Sequence, residues 1–195
     1  MAVIILLGPK HSGKTSTGLE LAKLLKIPFY DLDRLIEEKT GKSVRELYKA
    51  GEELFQREET AALTALFASD FSSAILSLSG SIIDNPRAMA LLKKESVKNC
   101  TVYLEVSAET AWQRIISQGE LPPFLKAETP AESKEKHRQL HERRASDFKK
   151  TASHSICAEG KNAAELAEDL CNLVLYNNKQ KDKPLNEVNY RNEQY

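Results

Sequence analysis

Little in this chain commits it to a charged surface, an oxidising compartment or a bilayer. Lysine plus arginine and aspartate plus glutamate number 28 each over 195 residues, so no net field favours a polyanion or an anionic membrane. There are only three cysteines, Cys100, Cys157 and Cys171. They are too few and too scattered for a disulfide framework or a zinc site, and a reducing cytoplasm is the expected location. The apolar stretch AVIILL at 2–7 is too short to span a membrane and lacks a basic flank. It is expected to be a buried strand, not a signal peptide. Aromatics, at 7%, are sparse around the one dense basic stretch, KEKHRQLHERR, which argues against RNA binding. No nucleic acid and no membrane is therefore expected as a partner, and the chain is expected to be a monomer. What remains is 41% hydrophobic and 29% charged, the balance of one globular domain able to bury a core.

Strand and helix patterns alternate. AVIILL stops at Gly8, and TSTGLELAKLLKI carries helical spacing from about Lys14. PFYDLD reads as a second strand, and three helical stretches follow, separated by Gly41 and Gly51. SSAILSLSG (72–80) and CTVYLEVS (100–107) read as strands, with NPRAMALLKKE as a helix between them and AETAWQRIIS as a helix capped by Ser107. From Gly119 to about Thr151 the chain is polar and punctuated by proline, with helical spacing from Ala131 and room for a lid within about 119–135. SHSICA and NAAELAEDLCNLVLY close the pattern as strand and helix. Residues 1–176 are expected to form a single domain, and 177–195 a polar, disordered tail. Such alternation predicts an α/β fold, a parallel sheet covered on both faces.

GPKHSGKT at 8–15 satisfies G-x-x-x-x-G-K-[ST] and sits between a strand and a helix. In such a loop backbone N–H groups turn inward on phosphate and the helix N-terminus adds its dipole. The expected nucleotide-binding residues are thus Gly8, Pro9, Lys10, His11, Ser12, Gly13, Lys14, Thr15 and Ser16. Lys14 would reach the β/γ-phosphates of ATP, and the Thr15 hydroxyl would ligate Mg²⁺. His11 is read as a variable loop residue, not a catalyst. Beyond the lysine comes YDLD, which puts Asp31 and Asp33 together at the carboxyl edge of the sheet. One carboxylate is suited to Mg²⁺; the other, Asp33, to orienting an acceptor hydroxyl and taking its proton. Alternatively Asp33 merely caps the next helix.

Taken in order, GPKHSGKTSTGLELAKLL, FYDLDRLIEEKTGKSVRELYKAGEELF, Glu59, LSLSG, TVYLEVSAETA and ERRASDF resemble the shikimate kinase family over about residues 3–174. The resemblance implies a three-layer P-loop kinase of the nucleoside monophosphate kinase type with a central parallel sheet and a helical lid. It implies phosphoryl transfer from ATP, with Mg²⁺, to a small carboxylated alcohol, shikimate first, giving shikimate 3-phosphate in aromatic amino acid biosynthesis. Carried over position by position, it implies phosphate-binding Lys14, metal-site Thr15 and Asp31, substrate-binding Asp33, Gly80 and Arg144, and an adenine-contacting Arg114.

Three family positions differ. F-R-x-x-E reads Phe55-Gln56-x-x-Glu59, so Gln56 stands at a substrate-binding position where the family has a carboxylate-clamping arginine. G-G-G reads Ser79-Gly80-Ser81, and the lid's R-P-L-L reads Pro122-Pro123-Phe124-Leu125, without its arginine. Glutamine offers neither the charge nor the planar fork of arginine, a loss of about 1.5–3 kcal/mol in a closed site. Arg57 is rotated about 100° from Gln56 on a helix, which makes it a poor substitute. Lys126 reads as a solvated lysine and not as a new lid cation. These changes keep two alternatives open: a related kinase acting on another small hydroxylated acceptor, and a catalytically impaired nucleotide-binding paralogue. His137 and His141, four apart on a helix, are expected on a solvated face, and Trp112 in the core. The basic stretch they interrupt is expected to turn its arginines toward ATP and substrate.

Overall fold

The computed structural model describes residues 3–69, 73–96, 98–119, 121–122 and 125–181. Five strands form one sheet: β1 (Ile4–Leu7), β2 (Phe29–Asp31), β3 (Ile75–Ser77), β4 (Cys100–Glu105) and β5 (His154–Cys157). Their order is β2-β3-β1-β4-β5 and every pairing is parallel, so β1 lies at the centre. All four residues of β1 are buried, as its unbroken apolar run requires. Its side chains alternate between two cores. Ile5 and Leu7 face the layer of α2 (Leu32–Thr40), α3 (Val44–Ala50), α4 (Glu52–Ala68) and α5 (Pro86–Ser96), whereas Ile4 and Leu6 face α1 (Lys14–Leu25), α6 (Ala108–Ser117) and α8 (Ala163–Lys181). A helix α7 (Pro130–Thr151) contributes Phe148 to the first of these cores, stacked on Tyr103 of β4.

Local chemistry sets most boundaries. Gly41 and Gly51 end α2 and α3 with positive φ, and Ser43 begins α3 with a capping box to Glu46. Ser107 caps α6 by accepting from Thr110 N. Thr129 and Glu132 form a second capping box, and Pro130 stands at N1, so α7 starts one residue before the spacing predicts. The strand expected over 72–80 is reduced to Ile75–Ser77, after which the chain leaves the sheet towards the phosphate loop. The domain boundary expected at 176 falls inside α8, which continues to Lys181; residues 182–195 lie outside the described residues. Among the described residues no helix is long and apolar enough to cross a membrane, and no three His, Cys, Asp or Glu side chains group as metal ligands.

One expectation is overturned. His137 and His141 do not face solvent: they are 6% and 7% exposed. Together with Ser133 and Phe148 they form the inward stripe of α7. His137 packs on Trp112, itself buried as expected, with ring centroids 5.5 Å apart. His141 Nε2 lies 2.9 Å from Val106 O, which requires the tautomer protonated at Nε2. Burial, followed by the neighbouring His141 and Arg144 charges, lowers the His137 pKa to about 4, so the ring is neutral in the fold. The four-residue spacing that looked like a polar face is the face that packs.

Candidate active site

The carboxyl ends of β1, β2 and β3 deliver the site. After Leu7 the chain turns through residues 8–13, with Gly8 and Gly13 at φ 147° and 98°. His11 also has a positive φ, 65°, a conformation rare for a side chain with Cβ. Its carbonyl accepts from Arg114 Nη1 at 2.8 Å, tying α6 to the loop. Its imidazole is held neutral near pH 7, the pKa lowered to about 4 by burial and then by Lys10, Lys14 and Arg114. Lys14 is 7% exposed. Its ammonium donates to Gly8 O and Pro9 O, both at 2.8 Å. Burial lowers the Lys14 pKa to about 8 against the pull of Asp33 and Asp31.

At the end of β2 the two aspartates divide their tasks. Asp31 is the N-cap of α2, accepting from Arg34 N, and its Oδ2 also accepts from Thr15 Oγ1 at 2.7 Å. The capping role considered for Asp33 therefore belongs to Asp31. Asp33 sits in the first turn of α2, where its buried Oδ1 has no hydrogen-bond partner among the described residues. Burial raises the Asp33 pKa to about 6; Asp31 adds to the shift, while Lys14 and Lys10 oppose it. A carboxylate oxygen left unbonded in a pocket is available to a ligand proton.

Two cavities meet at this edge. The larger, about 580 Å³, is lined by Lys10–Thr17, Asp31, Asp33, Arg114 and Lys161, among others. The smaller, about 330 Å³, is lined by Asp33, Arg45, Tyr48, Phe55, Pro122 and Arg144, among others. The first suits a nucleotide: it has a buried lysine satisfied only by its own loop carbonyls, and a hydroxyl–carboxylate pair, Thr15 and Asp31, of the hard oxygen type that Mg²⁺ takes. The second has aromatic walls and two arginines, Arg45 and Arg144, and Asp33 faces both cavities.

The family model for shikimate kinase matches residues 10–175. The chain belongs to the shikimate kinase family. It is 34% identical over 167 residues to the shikimate kinase of Streptococcus gordonii, covering 84% of this chain and 95% of that protein. It is also 34% identical to the Thermus thermophilus shikimate kinase over 169 residues, 86% of each. A shikimate kinase from Acinetobacter baumannii, solved in complex with shikimate, superposes with a TM-score of 0.80 at 30% identity, covering 91% of this chain and 94% of that one. Membership makes the chain an ATP- and Mg²⁺-dependent phosphotransferase.

In this shikimate kinase family member the positions that depart from the family pattern acquire new partners. Ser79 donates to Glu59 Oε1, while Asn85 Nδ2 donates to Glu59 Oε2 at 2.8 Å. Burial outweighs those two bonds and raises the Glu59 pKa to about 7. Ser81 accepts from Tyr48 OH at 2.7 Å, and Tyr48 stacks on Phe55 with centroids 4.3 Å apart. Gln56 Nε2 donates to Asp84 O and Glu52 Oε1, both at 3.3 Å. Arg144 lines the smaller cavity but its Nε and Nη2 both bind Asp84 Oδ2, at 2.8 and 2.5 Å, while Arg143 takes Oδ1 at 2.8 Å. Asp84, which grips an arginine of the smaller cavity, is thus a residue that sequence reading missed: it belongs to no motif, and only the short 3₁₀ turn over Ile82–Asp84 brings it to α7. Elsewhere on that helix Arg138 pairs with Glu135 and Glu142 in solvent, so of these paired arginines Arg144 is the one that lines a cavity. Arg57 pairs with Glu58 at the surface and Lys126 is exposed. Pro123 and Phe124 lie outside the described residues. Glu59→Ala is expected to cost about 2–4 kcal/mol by urea denaturation at pH 7, because it strands the buried Ser79 hydroxyl, removes one of three acceptors of the Asn85 amide and leaves a cavity.

Proposed function

We propose that the chain transfers the γ-phosphoryl group of ATP to a hydroxyl of shikimate, giving shikimate 3-phosphate, and acts as a cytoplasmic monomer. The observation that carries this reading is Asp33, whose unpartnered buried oxygen stands at the junction of a phosphate-loop cavity and a separate cavity containing Arg144. In this reading the loop amides and Lys14 bind the triphosphate, and Arg114 lies on the side of the larger cavity that takes the base. Thr15 and Asp31 hold Mg²⁺, which neutralises phosphate charge when bound. Asp33 orients the hydroxyl and accepts its proton as the oxygen–phosphorus bond forms. Gly80 allows close approach at the junction, and Arg144 meets the acceptor carboxylate.

The ion pair between Arg144 and Asp84 supports a second reading, a shifted acceptor preference. An acceptor carboxylate must share that guanidinium with Asp84, and Gln56 brings no second positive charge. The direct test is coupled ADP release at millimolar shikimate, with the product identified by mass. Shikimate-dependent turnover is expected. Absence of turnover, with turnover on a sugar, hydroxy acid or nucleoside monophosphate, would transfer the assignment to that acceptor. ATP binding without turnover on any of them would point to a catalytically impaired paralogue.

A further inference from the structure

The two cavities share three lining residues: Lys10, Asp33 and Gly80. Glycine has no side chain and Asp33 is an anion. Among the described residues Lys10 is therefore the one cationic side chain that borders both cavities. Its backbone is held at the seam. A Cβ built on Gly80 would lie 2.5 Å from Lys10 N and 3.0 Å from its Cα, so the turn after β3 rests directly on this residue. The Lys10 side chain is exposed, and among the described residues it enters no hydrogen bond or ion pair.

Most cations nearby are committed elsewhere, and Lys49, which lines the smaller cavity, does not border the larger one. Lys14 is bonded to Gly8 and Pro9 carbonyls in the larger cavity. Arg114 is held on His11 O, Lys161 on Asp169 at 2.6 Å, and Arg144 on Asp84. Lys10 alone combines a fixed Cα at the junction with a flexible four-carbon stem and an uncommitted charge. Its field reaches both sides, acting on Lys14 and His11 in the loop and on Asp33 at the acceptor end.

We infer that Lys10 is a positioning cation that accompanies the phosphoryl group across the seam between the nucleotide and acceptor cavities. The inference rests on the reading of these cavities as donor and acceptor sites. In the transfer the acceptor oxygen forms a bond to the γ-phosphorus, and the bond from that phosphorus to the bridging oxygen breaks with its electron pair onto ADP. The hydroxyl proton goes to Asp33. Lys10 exchanges neither proton nor electrons; its ammonium offsets charge on the oxygens that belong to ATP before the step and to the product after it. The phosphate loop thereby supplies two cations with different duties: a buried one that anchors, and an exposed one that follows.

The test compares Lys10→Met and Lys10→Arg in the full chain. With Mg²⁺ present, calorimetric titration of Lys10→Met is expected to show about tenfold weaker ATP binding, equivalent to about 1.4 kcal/mol, with ADP binding changed less than about twofold. Lys10→Arg is expected to stay within about threefold of the parent for both nucleotides, because charge and reach are retained. In turnover, Lys10→Met is expected to lower kcat about 10²-fold while thermal melting stays unchanged, since an exposed side chain is replaced. Equal effects on ATP and ADP, no effect on either, or kcat within twofold of the parent would overturn the assignment. The nucleotide comparison needs no acceptor. If the parent chain fails to use shikimate, the acceptor reading fails, while the ATP-to-ADP ratio still decides Lys10.

Discussion

Asp33→Asn is expected to reduce kcat about 10³-fold while leaving ADP affinity within about twofold of the parent. The side-chain shape is preserved, and the phosphate loop does not depend on Asp33 for a hydrogen bond: its Oδ1 has no partner among the described residues. What disappears, on the proposed reading, is the carboxylate that takes the hydroxyl proton. Two further measurements separate this from a structural defect. First, pH: Asp33 is pushed up to about 6 and must be ionised to act as a base, whereas Lys14 is lowered to about 8 and must be charged to bind phosphate. For the parent, kcat/KM for ATP therefore rises through about pH 6 and declines above about pH 8, and the acid limb should vanish in the variant. Second, stability: a carboxyl whose folded pKa is raised from 3.8 to about 6 favours the fold below its unfolded value and loses that contribution as pH rises through 6. At pH 8 the parent bears the full cost of a buried ionised carboxylate, so Asp33→Asn should melt higher there. A variant that keeps its turnover would remove Asp33 from the mechanism. One that melts lower would contradict its desolvated position.

Gly80→Ala is expected to have the second largest effect, and it should act on nucleotide binding as well as on turnover. A single methyl at residue 80 meets Lys10 N at 2.5 Å, Lys10 Cα at 3.0 Å and Pro9 C at 3.1 Å. All three are main-chain atoms, so no side chain can rotate aside, and relief requires the phosphate loop or the turn after β3 to move. Misplacing a phosphate cradle by a fraction of an ångström is expected to weaken ADP binding at least tenfold and kcat about 10²-fold. Fluorescence or calorimetric titration with ADP checks this. An affinity within twofold of the parent would show that the turn is free to retreat. The contrast with Asp33→Asn, which spares ADP binding, makes the pair diagnostic of where donor recognition ends and acceptor chemistry begins.

The parts of the site that were legible in the sequence are those built from neighbours in the chain. Gly8 to Thr15 carry their geometry in their own residue types, and β1 before them and α1 after them have the required burial and spacing. Asp31 and Asp33 were legible for the same reason, although their division of labour was not: which of the two caps α2 depends on the backbone turn at the strand end. Residues brought together across 20 or more positions were opaque. No pattern announces that Asp84 will grip Arg144, that Ser81 will accept from Tyr48, or that Ser79 will turn to Glu59. His137 and His141 were misplaced because polarity was read as exposure. Spacing was the better guide, since the same stripe ends on the buried Phe148.

The central position of β1 has a consequence for the making of the protein. Its partners are Ile75–Ser77 on one side and Cys100–Tyr103 on the other, whereas neighbouring sequence supplies neither. A ribosome adding about 5–20 residues per second must therefore work for roughly 4–14 s after AVIILL is synthesised before β3 exists to pair with it, and longer before β4 closes the other edge. Throughout that interval the most apolar segment of the chain is a strand with two open edges. The nucleotide loop follows it directly, so the first function-bearing residues to be made must wait for strands synthesised much later.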